Sequence, residues 1–210
     1  NSLMENERSY NILRVSKGAE TRSTILRQAI SMASVFGLGG LTIGRLATQT
    51  SMSKSGLFGH FGSKEALQFA VLEMTTEDLT NSVVEPAVEE LTGERRLQKL
   101  FSNWMEWIGT DQRPGGCPLM GAFVELDDQP GELRNFLVEQ QIEWLDCLRR
   151  MAQKAVSESI FRAGLDTRQF AFEFHSIGLG LNFSLRLLRD PDALSRSQVT
   201  FDSLIQKAKS

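Results

Sequence analysis

The stretch SMSKSGLFGHFGSKEAL, Ser51–Leu67, decides how the chain is read. Ser53 and Ser63 are good N-cap residues, and each stands before a helical run. Leu57 and Phe61 lie four apart, so they mark one buried side; Lys54, Ser55, Phe58 and Gly59 then face outward, with His60 near the helix end. Gly56 and Gly59 each cost roughly 1 kcal/mol against alanine in a helix interior. The cost is understandable where a bulky partner must approach the backbone, as a DNA major groove does. Lys64 opens the next helix, where a cation opposes the macrodipole, so it calls for an anion. A phosphate held by Lys64, the free N–H groups behind Ser63, and His60 supplies one.

Upstream, Ile25, Ala29, Ala33 and Phe36 stripe a helix predicted from Glu20 to Phe36, and GLGG at 37–40 ends it with left-handed caps. Thr42 then caps a short helix that turns Ile43, Leu46 and Ala47 inward. Its hydroxyl is placed for a phosphate contact, and Arg45 one turn on can reach backbone or base edge. Two short helices joined by about three residues, with a longer helix packed across them, make a helix-turn-helix. Charge agrees: residues 1–65 carry eight Lys+Arg against four Asp+Glu, whereas residues 66–210 carry fifteen against twenty-two. A small basic module precedes a larger acidic one.

Downstream the helices lengthen, and no strand-like alternation persists, so the fold class is all-α. Helices are predicted from Lys64 to about Val84, Glu94 to Gly109, Pro118 to about Asp127, Pro130 through Ala155, Asp166 through Leu188, and Asp192 to Lys207. The expected division is a helix-turn-helix domain at 20–66 and a larger helical domain for effector binding and dimerisation at 67–210. No run approaches the roughly 18 apolar residues of a membrane span, and the polar start lacks the apolar segment of a secretory signal, so a cytoplasmic protein with no membrane partner is expected. The two cysteines and two histidines are far apart in sequence, which argues against zinc and against a disulfide scaffold; no metal and no cofactor are expected. No nucleophile elbow, phosphate loop or carboxylate couple is present, so the chain does not read as an enzyme.

The segment TRSTILRQAISMASVFGLGGLTIGRLATQTSMSKSGLFGHFGSKEALQFAV, Thr21–Val71, as a whole resembles the tetracycline-repressor-like (TetR-like) bacterial transcriptional regulators. The resemblance implies an all-helical homodimer that binds a palindromic double-stranded DNA operator and is released by a small-molecule effector. By position, Thr42, Ser53, Lys54, Ser55, Gly56, His60 and Lys64 match the family's DNA-facing residues. Three residues depart from its pattern. Phe58 replaces a usual tyrosine and its phosphate contact, leaving a thymine-methyl contact or plain packing; Ser51 replaces a turn glycine; and Gly44 is an odd choice inside a helix.

The helix from Asp166 carries apolar residues around most of its circumference, which calls for cover on both sides and so for a second subunit. Ile177, Gly178, Leu181 and Leu185 are the expected dimer contacts, with Gly178 allowing a crossing helix to come close. The resemblance places Phe101, Trp104, Trp107, Met120, Phe123 and Trp144 on helices that line the family's ligand cavity. Glu106, Glu125 or Glu143 would favour a cationic ligand if it faced inward. Cys117 is the expected N-cap before Pro118, where helix N–H groups favour a thiolate and Arg113 is near, and a Gly-Cys segment here resembles one subgroup of the family's C-terminal domains. Cys147 reads as core, and His175 as a core or interface histidine or a ligand contact. A repressor released by a small molecule is the expected function. The alternatives are a repressor that senses oxidants or electrophiles through Cys117, and a regulator with no small-molecule effector.

Overall fold

The computed structural model describes residues 17–110 and 113–210, and these form ten α-helices with no strand among them. α1 (Lys17–Gly40) is broken at Gly37, whose φ of 72° is the left-handed turn expected of GLGG. α2 (Ile43–Thr50), α3 (Lys54–Phe61) and α4 (Lys64–Leu79) begin at the expected caps, with Thr42, Ser53 and Ser63 each accepting a backbone N–H. Ser51 ends α2 in the left-handed region at φ 54°, a conformation that costs a serine some strain where a glycine adopts it freely. α4 runs on through a π-helical segment (Thr80–Val84) into α5 (Glu85–Val88), a short helix the sequence reading did not separate.

The larger half holds α6 (Gly93–Gly109), α7 (Pro118–Leu126), α8 (Glu132–Ser157), α9 (Thr167–Phe183), which continues as a π segment (Ser184–Leu188), and α10 (Ala193–Lys209). α8 and α9 pack on each other, α6 lies across both, and α10 closes the far side of α9. An aromatic stack fastens these layers. Phe101 of α6 stacks on Phe201 of α10 at 4.0 Å between ring centroids, and Phe174 of α9 meets both edge-on. α1 packs against α7 and α4 as well as α2, so the two halves share a broad contact.

The expected dimer residues need correction. Ile177, Gly178 and Leu181 are buried in the chain's own core, and Leu185 packs against that core. Gly178 admits the Trp104 indole rather than a partner helix: a Cβ there would come within 2.6 Å of Cζ2. Exposed apolar side chains include Phe172, Leu179, Phe183 and Leu187, spaced along the opposite face of α9 and its π extension, together with Val138 and Ile142 on α8. The sequence shows apolar residues all round α9; only the packing tells which half its own chain covers.

α6 starts at a close approach that admits no side chain. A Cβ on Gly93 would lie 2.5 Å from the Met151 carbonyl oxygen and 2.9 Å from the Ala155 Cα of α8. Gly93→Ala is therefore expected to destabilise the fold by about 1–3 kcal/mol through overpacking. A thermal melt unchanged from the wild type would contradict this packing of α6 on α8.

Candidate nucleic-acid interface and ligand cavity

The outward face of α3 carries Lys54, Ser55, Phe58 and Gly59, all exposed, above the buried Leu57 and Phe61; His60 is half-buried. Gly59 has no neighbour among the described residues within 4 Å of where a Cβ would stand, so none of them demands glycine there. Ser53 Oγ accepts the Gly56 N–H at 3.0 Å and lies 3.2 Å from Ser55 Oγ. Thr42 Oγ1 accepts from Arg45 N, and Ser63 Oγ from Ala66 N. As caps these hydroxyls use an acceptor lone pair, and the O–H of Thr42 and of Ser63 can still donate to a phosphate oxygen. Phe58 is 57% exposed with no hydroxyl to satisfy, an apolar contact rather than a phosphate ligand.

The two cations nearest this face are engaged differently than expected. Lys64 Nζ donates to the Gly39 carbonyl at 2.9 Å, so in this structure a helix-end carbonyl meets the charge for which a phosphate was expected. Arg45 donates to the Gly40 carbonyl at 3.3 Å and lies over the Phe36 ring at 5.3 Å.

Sequence reasoning missed the role of Glu125. Its carboxylate does not face a ligand: Oε2 accepts from Leu38 N at 2.8 Å and Oε1 accepts from Gly39 N. Gln68 Nε2 donates to the Leu38 carbonyl at 2.6 Å, and Lys64 holds that of Gly39. All four backbone hydrogen-bonding groups of Leu38 and Gly39, at the corner before α2, are thus bound by side chains of α4 and α7. The glycines of GLGG make room for this, since a Cβ on Gly37 or Gly39 would stand 2.8 or 2.5 Å from the Glu125 carboxylate. GLGG signals a turn, but nothing in its letters names the distant acid that fills it.

A cavity of about 230 Å³ opens between α4, α6, α7, α8 and α9. Trp104, Met120, Phe123 and Trp144 line it as expected, and so does Cys117. Phe101 and Trp107 do not: Phe101 belongs to the aromatic stack, and Trp107 lies under the Arg113 guanidinium at 3.6 Å. The wall also contains Thr76, Cys147 and His175, with Glu143 and Arg150 exposed at its edge. Trp144 Nε1 donates to His175 Nδ1 at 3.1 Å, and the Trp104 ring stacks on the imidazole. Burial lowers the pKa of His175 and is the first cause raising that of Cys147. Cys117 is the N-cap of α7, but its side chain makes no capping hydrogen bond. Glu106 is exposed on α6, off the cavity. Among the described residues no group of three or more His, Cys, Asp or Glu is placed to hold a metal ion, and no helix is long and apolar enough to cross a membrane.

A reading head of two short helices under a longer one, joined to a helical body with an apolar-walled cavity, has the build of a ligand-responsive DNA-binding regulator. The family described as bacterial regulatory proteins, tetR family, matches residues 25–71, and the one described as Tetracyclin repressor-like, C-terminal domain, matches residues 93–201, more than half of the chain. The chain belongs to the TetR family of bacterial transcriptional regulators. Similar solved structures include a TetR regulator from Chloroflexus aurantiacus J-10-FL, 23% identical over 90% of this chain and 94% of that one, with a TM-score of 0.81. A TetR-family regulator from Cytophaga hutchinsonii is 26% identical over 91% and 94%, with a TM-score of 0.76. AibR, solved in complex with isovaleryl coenzyme A and operator DNA, is 20% identical over 88% and 95%, with a TM-score of 0.68. No curated protein matches.

Removing the Glu125 carboxylate strands two N–H groups at the corner. Glu125→Ala is expected to cost about 1–3 kcal/mol of stability and to speed hydrogen exchange at the Leu38 and Gly39 amides by about tenfold or more. Exchange at those two amides that matches the wild type would show that the carboxylate does not hold them in solution.

Proposed function

We propose that the chain is a homodimeric repressor that binds a palindromic operator through Thr42, Arg45, Ser53, Lys54, Ser55, Gly56, Phe58, His60 and Lys64 and leaves it when a small molecule fills the cavity. The observation that carries the reading is that α4 and α7 both line the cavity and both grip the Leu38–Gly39 corner, three residues before the Thr42 cap. A ligand that shifts either helix acts on the head through hydrogen bonds rather than through diffuse packing. That AibR was solved with both an acyl-coenzyme A and operator DNA supports the pairing of the two partners on this fold. The head is assigned to residues 20–66 and the effector and dimer functions to 67–210. The protein acts in the cytoplasm, as a binder and not a catalyst.

The dimer face is assigned to Phe172, Leu179, Phe183 and Leu187 with Val138 and Ile142, exposed apolar side chains gathered on α8, on α9 and on its π extension. A second reading, release by a thiol-reactive compound, is favoured by the placement of both Cys117 and Cys147 on the cavity wall.

Selection of duplexes from a random pool, followed by gel shifts of the selected site, tests the reading. A palindromic site is expected, with half-sites about one helical turn, 34–36 Å, apart or a little more. Lys64→Ala should weaken all sequences alike and flatten the salt dependence, whereas Lys54→Ala should also change base preference. Failure to enrich any sequence, or unchanged binding when Lys54→Ala and Lys64→Ala are combined, would remove the recognition-helix assignment. Leu179→Arg with Phe183→Arg is expected to give folded monomers by sedimentation with DNA affinity much reduced; a stable dimer would refute the face. Release only by thiol-reactive compounds, abolished by Cys117→Ser, would put the second reading in place of the first.

A further inference from the structure

The hydrogen bond between Trp144 and His175 fixes more than a ring position. An indole N–H is only ever a donor, so His175 Nδ1, 3.1 Å from it, must present a lone pair. The imidazole proton is therefore on Nε2, and the ring is neutral. A protonated His175 would set two N–H groups against each other, and burial opposes the charge as well. The ring cannot easily turn away. It stacks on Trp104 at 5.8 Å with planes 11° apart, the two indoles pack at 4.9 Å, and Trp104 is seated against the backbone of Gly178. Nε2–H has no acceptor among the described residues, and His175 forms part of the cavity wall. Beside the cavity, Thr76 Oγ1 is buried and also without a partner.

We propose that the cavity selects an uncharged, largely aromatic or alicyclic molecule with a carbonyl-type acceptor, and that His175 Nε2–H donates to that acceptor. The proposal rests on the reading of this cavity as the effector site. The Trp104, Trp144, Phe123 and Met120 walls take the apolar body. An anion is disfavoured because one neutral N–H does not offset its desolvation, and Arg150, the only cation on the wall among the described residues, is exposed and bonded to Asp146 at 2.7 Å. A cation is disfavoured because the fixed group on the inner wall is a donor, while the acid, Glu143, is exposed at the edge. A hydrocarbon of the same shape would leave the Nε2–H unsatisfied.

Four probes of one size separate these classes: acetophenone, its isostere α-methylstyrene, benzoate and benzyltrimethylammonium. Each is titrated against the full chain by quenching of tryptophan fluorescence. Acetophenone is expected to half-saturate at about tenfold lower concentration than α-methylstyrene and to bind more tightly than either ion. That preference should fall to about one in His175→Phe and be largely kept in His175→Gln, whose amide still donates. Imidazole ¹⁵N spectra of the wild type should show Nδ1 bare and Nε2 protonated at neutral pH, a result that does not depend on any variant folding. Equal binding of the isosteres, tighter binding of either ion, no saturable quenching by acetophenone up to its solubility, or the opposite tautomer would each overturn the proposal. A parallel gel shift with the selected operator keeps the two readings apart. Release of DNA by an ionic probe would refute the ligand class while leaving the regulator intact, and tight acetophenone binding without release would refute the effector reading while leaving the ligand class intact.

Discussion

Breaking a helix at Gly37 leaves backbone groups at the corner without helical partners, and a buried one left unpaired costs on the order of 1–3 kcal/mol, a cost that falls on Leu38 more than on the exposed Gly39. The chain meets that demand with three side chains from the other side of the corner: Glu125 for the N–H groups of Leu38 and Gly39, Gln68 and Lys64 for their carbonyls. The α1–α2 corner therefore takes this shape only when α4 and α7 are both in place. The position of the reading head depends on that condition, because Thr42, the cap of the next helix, follows the corner by three residues.

A second tie lies one turn back along α1. Gly115 donates to Ser34 Oγ at 3.1 Å and lies so close to the α1 backbone that a Cβ would come 2.5 Å from Val35 N. The same loop is held on its other side by Arg186, which donates to the carbonyls of Arg113 and Pro114. Arg186 stands in the π segment that extends α9, next to the exposed Leu187. One loop thus touches α1, leads into the cavity helix α7, and is fastened to the end of the apolar face assigned to dimerisation. Cavity, head and dimer face share neighbours within a few residues, which is the kind of contiguous, hydrogen-bonded arrangement that can have two discrete positions.

The sequence makes the local elements legible because they are set by short-range chemistry. N-cap hydroxyls at Thr42, Ser53 and Ser63, the left-handed turn at Gly37 and the outward face of α3 each follow from residues a few positions apart. What it hides is long-range. Glu125 is one of many acids, and only its placement 86 residues away from Gly39 gives it a role. Phe101 and Trp104 share one stripe of α6, yet the first meets α10 and the second meets the cavity, a distinction set by which helices cover which side. The same limit applies to α9, where apolar residues all round the helix call for cover on both sides without telling which half its own chain covers. His175 was readable as core or ligand contact, and its tautomer follows only from the indole that faces it.

The cavity lies in the place where these ties can be worked. Its walls include Thr76 and Leu79 from the far end of α4, Thr80 from the π segment that follows, and Leu119, Met120 and Phe123 from α7 with its N-cap Cys117. The near end of α4 carries Lys64 and Gln68, and the later part of α7 carries Glu125, so both arms of the corner clamp are continuous with cavity wall. The α4 wall passes into π geometry at Thr80–Val84, a widened turn of the kind often found at functional sites. A molecule that separates α4 from α7 cannot keep all four corner bonds at their present lengths, and it need not touch the head to turn it. Binding changes DNA affinity only as far as it prefers one arrangement over the other, about 1.4 kcal/mol for each tenfold. Losing the part-buried bond from Leu38 N to the Glu125 carboxylate, worth about 1.5–3 kcal/mol, is of the size required.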